Sequence, residues 1–192
     1  MSRNNHDVRT AASDQELAIA APGKTMYLVL GGLLSIAPVA VVVASLGGLS
    51  SDLTVDRLPA VLGLVLLIEL PIAALLVWLS MRRRVELVGT ELEIHAAFYR
   101  RRLALSALDL DGARVVDLRE KRELRPRLKT NGYGLPGFAA GHFRDSEGRK
   151  MFCLMTQPRS LWIPVSDGSL LLLSFENPSA VLKRLRGAAR SD

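Results

Sequence analysis

The apolar positions of this chain fall into two regimes that meet near residue 81. From Tyr27 to Leu46 there is no charged residue, and from Leu58 to Leu79 Glu69 is the single one. Each run is apolar on every face and about 20 residues long, the length of helix that covers the ~30 Å hydrocarbon core of a bilayer. The stretch between them carries Ser50, Ser51, Asp52, Asp56, Arg57 and several glycines, which predicts a tight polar turn. The pattern predicts a transmembrane helical hairpin over 25–80, with spans at about 27–46 and 59–79. A chain of 192 residues has one modest core and could not bury two helices that are apolar all round. A secretory signal is a poorer reading of the first run, because it begins near residue 25 and a second span follows at once. Residues 1–24 are polar, small and mixed in charge, which predicts a flexible tail.

From Arg83 onward the period becomes two. Arg84 to Val88 alternates, Gly89-Thr90 turns, and Glu91 to His95 alternates again, so a hairpin with one wet face is expected. Phe98 to Leu105 and Ala113 to Leu118 are further strand candidates, with Asp111-Gly112 as a turn between them. Gly141–Arg144 and Met151–Met155 flank Asp145-Ser146-Glu147-Gly148. Ser160–Val165 and Ser169–Ser174 flank Ser166-Asp167-Gly168, a strong hairpin signal. Seven or eight short antiparallel strands at this spacing predict a small sandwich or barrel. A closing helix over about 178–187 follows from Asn177 as N-cap and Pro178 at the first helical position. Val181, Leu182 and Leu185 fall on one face of it, and this stripe is expected to cover an open end of the barrel.

Charge adds an orientation. Of the net +6, the part from Met81 to Asp192 holds 21 Lys/Arg against 13 Asp/Glu, whereas residues 1–24 balance. Arg82, Arg83 and Arg84 follow the second span directly and Lys24 precedes the first, so the positive-inside rule places both termini in the cytoplasm and the short loop outside an inner membrane. The single cysteine, Cys153, excludes an internal disulfide and sits in the apolar run Met151–Met155, where a buried inert thiol is expected.

A strand-rich barrel with one C-terminal amphipathic helix is the plan of the pleckstrin-homology fold. The segment Thr130-Asn131-Gly132-Tyr133-Gly134-Leu135-Pro136-Gly137-Phe138, followed by Gly141-His142-Phe143, resembles a signature of bacterial pleckstrin-homology-like (PH-like) domains. The continuation is similar too, through Thr156-Gln157-Pro158-Arg159, Trp162-Ile163-Pro164, Leu170–Leu173 and Ser174-Phe175-Glu176-Asn177-Pro178. The resemblance covers about 82–187 and implies a PH-like domain over 81–192, behind a pair of transmembrane helices. It implies a binding role, because relatives of the fold bind phosphoinositides or protein segments, although fold alone does not carry function. The chain departs from phosphoinositide binders in having no Lys-x-Arg pair on adjoining first strands.

Several groups are candidates for contact with a partner. Arg82, Arg83 and Arg84 can attract anionic headgroups at about 1 kcal/mol per charge, besides fixing topology. Arg125, Arg127 and Lys129 lie in a charge-dense stretch of mixed sign, read as a solvated edge strand and loop whose basic excess can meet lipid phosphates or a protein. Arg100-Arg101-Arg102 is placed in or beside a turn. Glu69, two residues before Pro71, is an intramembrane carboxylate, either hydrogen-bonded locally (to Ser35 or Ser45, for example) or used in assembly with a partner or a second copy. Gly132, Gly134, Gly137 and Gly141, with Asn131, Leu135 and Pro136, match neither a Walker loop nor a dinucleotide fingerprint and suit bulges and tight bends instead. His6, His95 and His142 are far apart and Cys153 lacks a ligand-spaced partner, so no metal site, no cofactor and no catalytic constellation is expected. Nucleic acid is not expected for a domain tied to a membrane. The expected function is a membrane-anchored binding or scaffolding module engaging a protein partner. The alternatives are reading of anionic lipid, and a non-catalytic subunit assembled through the hairpin.

Overall fold

The computed structural model describes residues 14–46 and 55–190. The polar turn expected between the spans therefore lies largely outside the described residues, as does His6. The chain forms two compact units. One is the helical pair Lys24–Met81, and the other joins the described residues up to Gly23 with Arg82 onward.

In the helical unit, α1 (Lys24–Leu46) and α2 (Leu58–Met81) pack against each other. Both run unbroken through a proline, Pro38 in α1 and Pro71 in α2. Both are long and apolar enough to cross a membrane. Their apolar side chains are largely uncovered, with Leu28 75%, Leu46 76% and Leu67 70% exposed.

The other unit holds ten strands in two sheets. The first sheet is β1 (Asp14–Glu16), β2 (Arg83–Val88), β3 (Glu91–Ala96) and β4 (Tyr99–Ala104), all antiparallel in that order. The second contains β5 (Arg114–Asp117), β6 (Leu128–Leu135), β7 (Phe138–Arg144), β8 (Lys150–Met155), β9 (Arg159–Pro164) and β10 (Leu170–Leu173), in the order β5-β9-β10-β8-β7-β6. β10 lies between β8 and β9 and runs parallel to β8, so the sheet is mixed rather than wholly antiparallel. Its Leu170–Leu173 sequence has no polar face because the strand is buried on both sides. The arrangement is sandwich-like. No ladder joins β1 or β4 to β5 or β6, so of the sandwich and barrel expected from the strand spacing the sheets form the open, sandwich-like one.

The expected tail over 1–24 is shortened by a finding. Asp14–Glu16 pairs with β2, and the following residues are strapped across the second sheet. Leu17 N donates to Val85 O (2.8 Å), Ala20 N to Ser174 O (3.2 Å) and Gly23 N to Thr156 O (3.3 Å). Thr156 Oγ1 donates to Ala20 O at 2.7 Å in a buried setting, and Leu17 and Ala20 are buried. The segment is polar enough to be read as a tail, yet it closes the open edge of β2 and so satisfies backbone groups that an edge strand leaves unpaired.

The closing helix α3 (Pro178–Ala189) matches its sequence signals. Asn177 Oδ1 accepts from Ala180 N at 3.1 Å, and Val181, Leu182 and Leu185 are buried. α3 packs on β9 and β5, and Arg186 ties it to the chain before β5 by donating to Leu110 O (2.9 Å) and Ala113 O (3.2 Å).

Candidate functional site

The Arg100-Arg101-Arg102 run is inside β4, not in a turn, and strand geometry splits it. Register places Tyr99, Arg101 and Leu103 opposite Ala96, Ile94 and Leu92 on the inner face, and Arg100 and Arg102 opposite His95 and Glu93 on the outer one. Arg101 therefore enters the space between the sheets. Its guanidinium stands 5.9 Å from the centroid of the Phe152 ring, donates to Ser169 Oγ at 2.8 Å and pairs with Asp167 at 3.3 Å.

Around Arg101 lies a cleft of about 470 Å³ lined by Thr130 and Asn131 of β6, His142, Phe143 and Arg144 of β7, Lys150 and Met151 of β8, and Asp167 and Ser169 before β10. Three cationic side chains, Arg101, Arg144 and Lys150, face one carboxylate, and hydroxyl and amide groups complete the wall. Burial first, and then the Arg101 charge, push the His142 imidazole below its ordinary pKa, with a backbone hydrogen bond to Asn131 opposing them. His142 thus stands as a neutral donor and acceptor at neutral pH. Hydrogen bonds from Ser169, and the charges of Arg101 and Lys150, hold Asp167 below the usual carboxylate range against some burial. A chain of rings fixes the back of the cleft, with Tyr99 to His142 at 5.9 Å and His142 to Phe152 at 5.0 Å, both edge-on. Such a cleft suits a small anionic group, because charge-assisted hydrogen bonds from Arg and Lys are the strong ones.

The outer face of the first sheet carries a second charged cluster. Glu93 receives Arg102 Nε at 2.6 Å and Arg100 Nη2 at 2.9 Å, with His95 Nε2 at 3.5 Å. The hydrogen bond from Arg100 is the main cause that lowers the Glu93 pKa, burial opposes it, and His95 and Arg102 add to it. Glu93 is committed to holding β3 to β4.

The residues singled out from sequence have varied places. Arg82 is exposed directly after α2; Arg83 and Arg84 open β2, where Arg84 meets Glu86 at 2.7 Å. Arg125 Nε donates to Leu118 O at 2.6 Å and so braces a loop. Arg127, directly before β6, and Lys129, inside it, are exposed, and their backbone leads to Asn131 at the cleft. Glu69 is half-buried in α2; Ser35, suggested as its donor, is turned to Gly32 O at 2.8 Å instead, and Ser45 Oγ has no partner among the described residues.

The segment from Asn131 to Gly141 is a hairpin rather than a loop. Asn131 Oδ1 accepts from Tyr99 OH at 2.9 Å. Leu135 and Phe138 close a turn with Pro136 first and Gly137, at φ 82°, second, as a type II turn demands. Gly132 and Gly141 face each other, and a Cβ on Gly141 would stand 2.8 Å from Asn131 O and 2.9 Å from the Tyr99 ring. The glycines let Tyr99 close over the hairpin, and a register shift between Lys129 and Asn131 turns β6 there. No sequence motif marked Lys150 or Ser169 as site residues, Asp167 read as a turn residue, and although Phe98 to Leu105 is a strand candidate, placing Arg100-Arg101-Arg102 in or beside a turn hid the inward position of Arg101.

Other reactive types are engaged structurally. Burial pushes the Cys153 thiol up, away from the thiolate. Asp145 accepts from Glu147 N, Arg149 N and Arg149 Nε at 2.9, 2.9 and 2.7 Å and caps the β7–β8 turn. Among the described residues no group of three or more His, Cys, Asp or Glu side chains is placed to hold a metal ion. No protein-family model, curated protein or solved structure matches this chain.

Proposed function

We propose that this chain is a membrane-anchored binding module. In this reading α1 and α2 cross the inner membrane as a hairpin, both termini are cytoplasmic, and the β unit is a PH-like domain that takes an anionic group in the cleft around Arg101. The cleft is the observation that carries the binding role: three cations against one carboxylate, with a neutral imidazole and hydroxyls at hand.

The strap supports the membrane architecture. Leu17 and Ala20 before α1 bond to Val85 and Ser174 after α2, so the chain flanking the helical pair belongs to one folded unit. That unit can occupy only one side of a bilayer, and a crossing by α1 must be reversed by α2. The uncovered apolar surface of both helices exceeds what a water-exposed fold tolerates. Arg82, Arg83 and Arg84 at the end of α2 favour the cytoplasmic side.

The test is calorimetric titration of the full-length protein in phosphatidylcholine nanodiscs with glycerol phosphate, a soluble stand-in for a headgroup. Saturable binding that weakens with salt, and is lost when Arg144 and Lys150 become Ser, is expected. Absence of saturable binding, or a variant that binds like the parent, would reject the cleft. A second reading has its own observation. β6 is an eight-residue edge strand, and an extended segment of a protein partner can add to such an edge. Crosslinking from Lys129 in native membranes would capture that partner.

A further inference from the structure

We propose that the tip of the β3–β4 hairpin, Ala97-Phe98, is a second membrane contact, with Phe98 seated in the interfacial layer of an anionic lipid surface. In the β unit three large apolar side chains among the described residues stand exposed, Val88 at 37%, Leu128 at 60% and Phe98 at 70%. Phe98 is the most exposed of them and the one aromatic. It is also the one placed at the end of the sheet where the chain leaves α2. Register pairs Arg83 with Ala96, and Ala97 N donates to Arg82 O at 2.8 Å. Neighbouring strands lie about 4.8 Å apart, so the tip stands within roughly 10 Å of the residue that follows Met81.

α2 has 24 residues, about 36 Å of helix, which exceeds the ~30 Å hydrocarbon core and brings its last turn to the headgroup layer. That layer is about 5–8 Å deep on each side, and the tip, within roughly 10 Å of Arg82, is in reach of it. An aromatic ring beside basic side chains suits this layer, where apolar groups bury against acyl chains and Lys/Arg meet anionic headgroups. Arg82 stands directly before β2 and Arg83 opens it, beside the strand that leads to the tip. The backbone agrees. Ala97, at φ 57°, is the non-glycine residue with positive φ among those described, in a two-residue turn. A glycine would hold that turn without strain, so Ala97 is a position of local strain next to Phe98.

The inference rests on the membrane-spanning reading of α2, and the two are separable. The full-length protein is reconstituted in phosphatidylcholine–phosphatidylglycerol vesicles with one spin label at a time. The labelled sites are Ala97→Cys beside the intact Phe98, Leu75→Cys on α2 and Glu147→Cys on the β7–β8 turn; Cys153 is buried and stays in place. Depth is read from collisions with oxygen and with a water-soluble nickel chelate. The expected result is a label at 97 at headgroup depth, moving toward water when Phe98→Ser is added, with 75 in the core and 147 in water. A label at 97 as wet as that at 147, while 75 is in the core, overturns the contact and leaves the span. A wet label at 75 overturns the span and the contact with it.

Discussion

Cutting the strap at its buried points should unfold the β unit in a defined order of cost. Leu17 is 2% exposed, and Leu17→Ala removes buried methyl groups and leaves a cavity, a loss of about 2–5 kcal/mol. Thr156→Val keeps the shape of a side chain that is 1% exposed but deletes the donor to Ala20 O. The carbonyl left without its partner in a buried site costs about 1–3 kcal/mol. Gln157→Ala removes a 3.3 Å bond to Ala21 O at the surface, worth no more than about 1 kcal/mol. Urea unfolding of the full-length protein in detergent, followed by Trp162 fluorescence in a Trp78→Phe background, gives the three values. Amide exchange at Leu17 and Ala20 should slow and quicken with them, because both amides bond within the unit. If Leu17→Ala stays within about 0.5 kcal/mol of the parent, or those amides exchange like free chain, the strap is not part of the fold.

Three further outcomes follow from single groups. Asp145→Asn should cost about 2–3 kcal/mol by weakening charge-assisted bonds in a site 5% exposed, measured by the same unfolding assay. Although burial raises the Asp145 pKa, the bonds from Arg149 and Glu147 outweigh it and lower the folded value, so the stability it gives is present above the unfolded carboxylate pKa and is lost as pH falls through the folded one. Gly141→Ala should destabilise by more than a surface substitution, at least about 2 kcal/mol, because φ 108° and a 2.8 Å approach to Asn131 O leave no place for a methyl. The His142 ring should titrate below 6.5 in an NMR experiment and move up in Arg101→Gln, though not fully, since burial remains the first cause. With the folded pKa lowered, its contribution is complete above the unfolded histidine value and declines as pH drops through the folded one.

The helices and most strands were legible because they depend on local patterning. The uninterrupted runs became α1 and α2, Gly89-Thr90 became a turn with Gly89 at φ 59°, and Asn177-Pro178 opened α3. β1 was not legible, since three polar residues carry no period and Asp14–Glu16 is a strand only because β2 offers an edge. β6 was hidden for the opposite reason: its glycines read as bulges and tight bends, while the hairpin partner β7 holds them extended. Closure of a barrel cannot be read from a strand count, as it depends on which edges meet. The cleft was least visible. Arg101, Asn131, His142, Lys150 and Ser169 are dispersed along the sequence, and the registers of β4 with β3 and of β7 with β6 and β8 place them at one cleft.

The membrane hairpin with a β unit closed across both its ends is tested most directly by sidedness. Single cysteines at Ala18→Cys, Asp52→Cys and Glu147→Cys would be labelled with a membrane-impermeant maleimide in right-side-out and inverted vesicles. Ala18 belongs to the strap, Glu147 to the β7–β8 turn, and Asp52 to the stretch between the helices. The expected result is labelling of 18 and 147 from the cytoplasmic face and of 52 from the opposite one. Labelling of all three from one face, or of 18 and 147 from opposite faces, would contradict it.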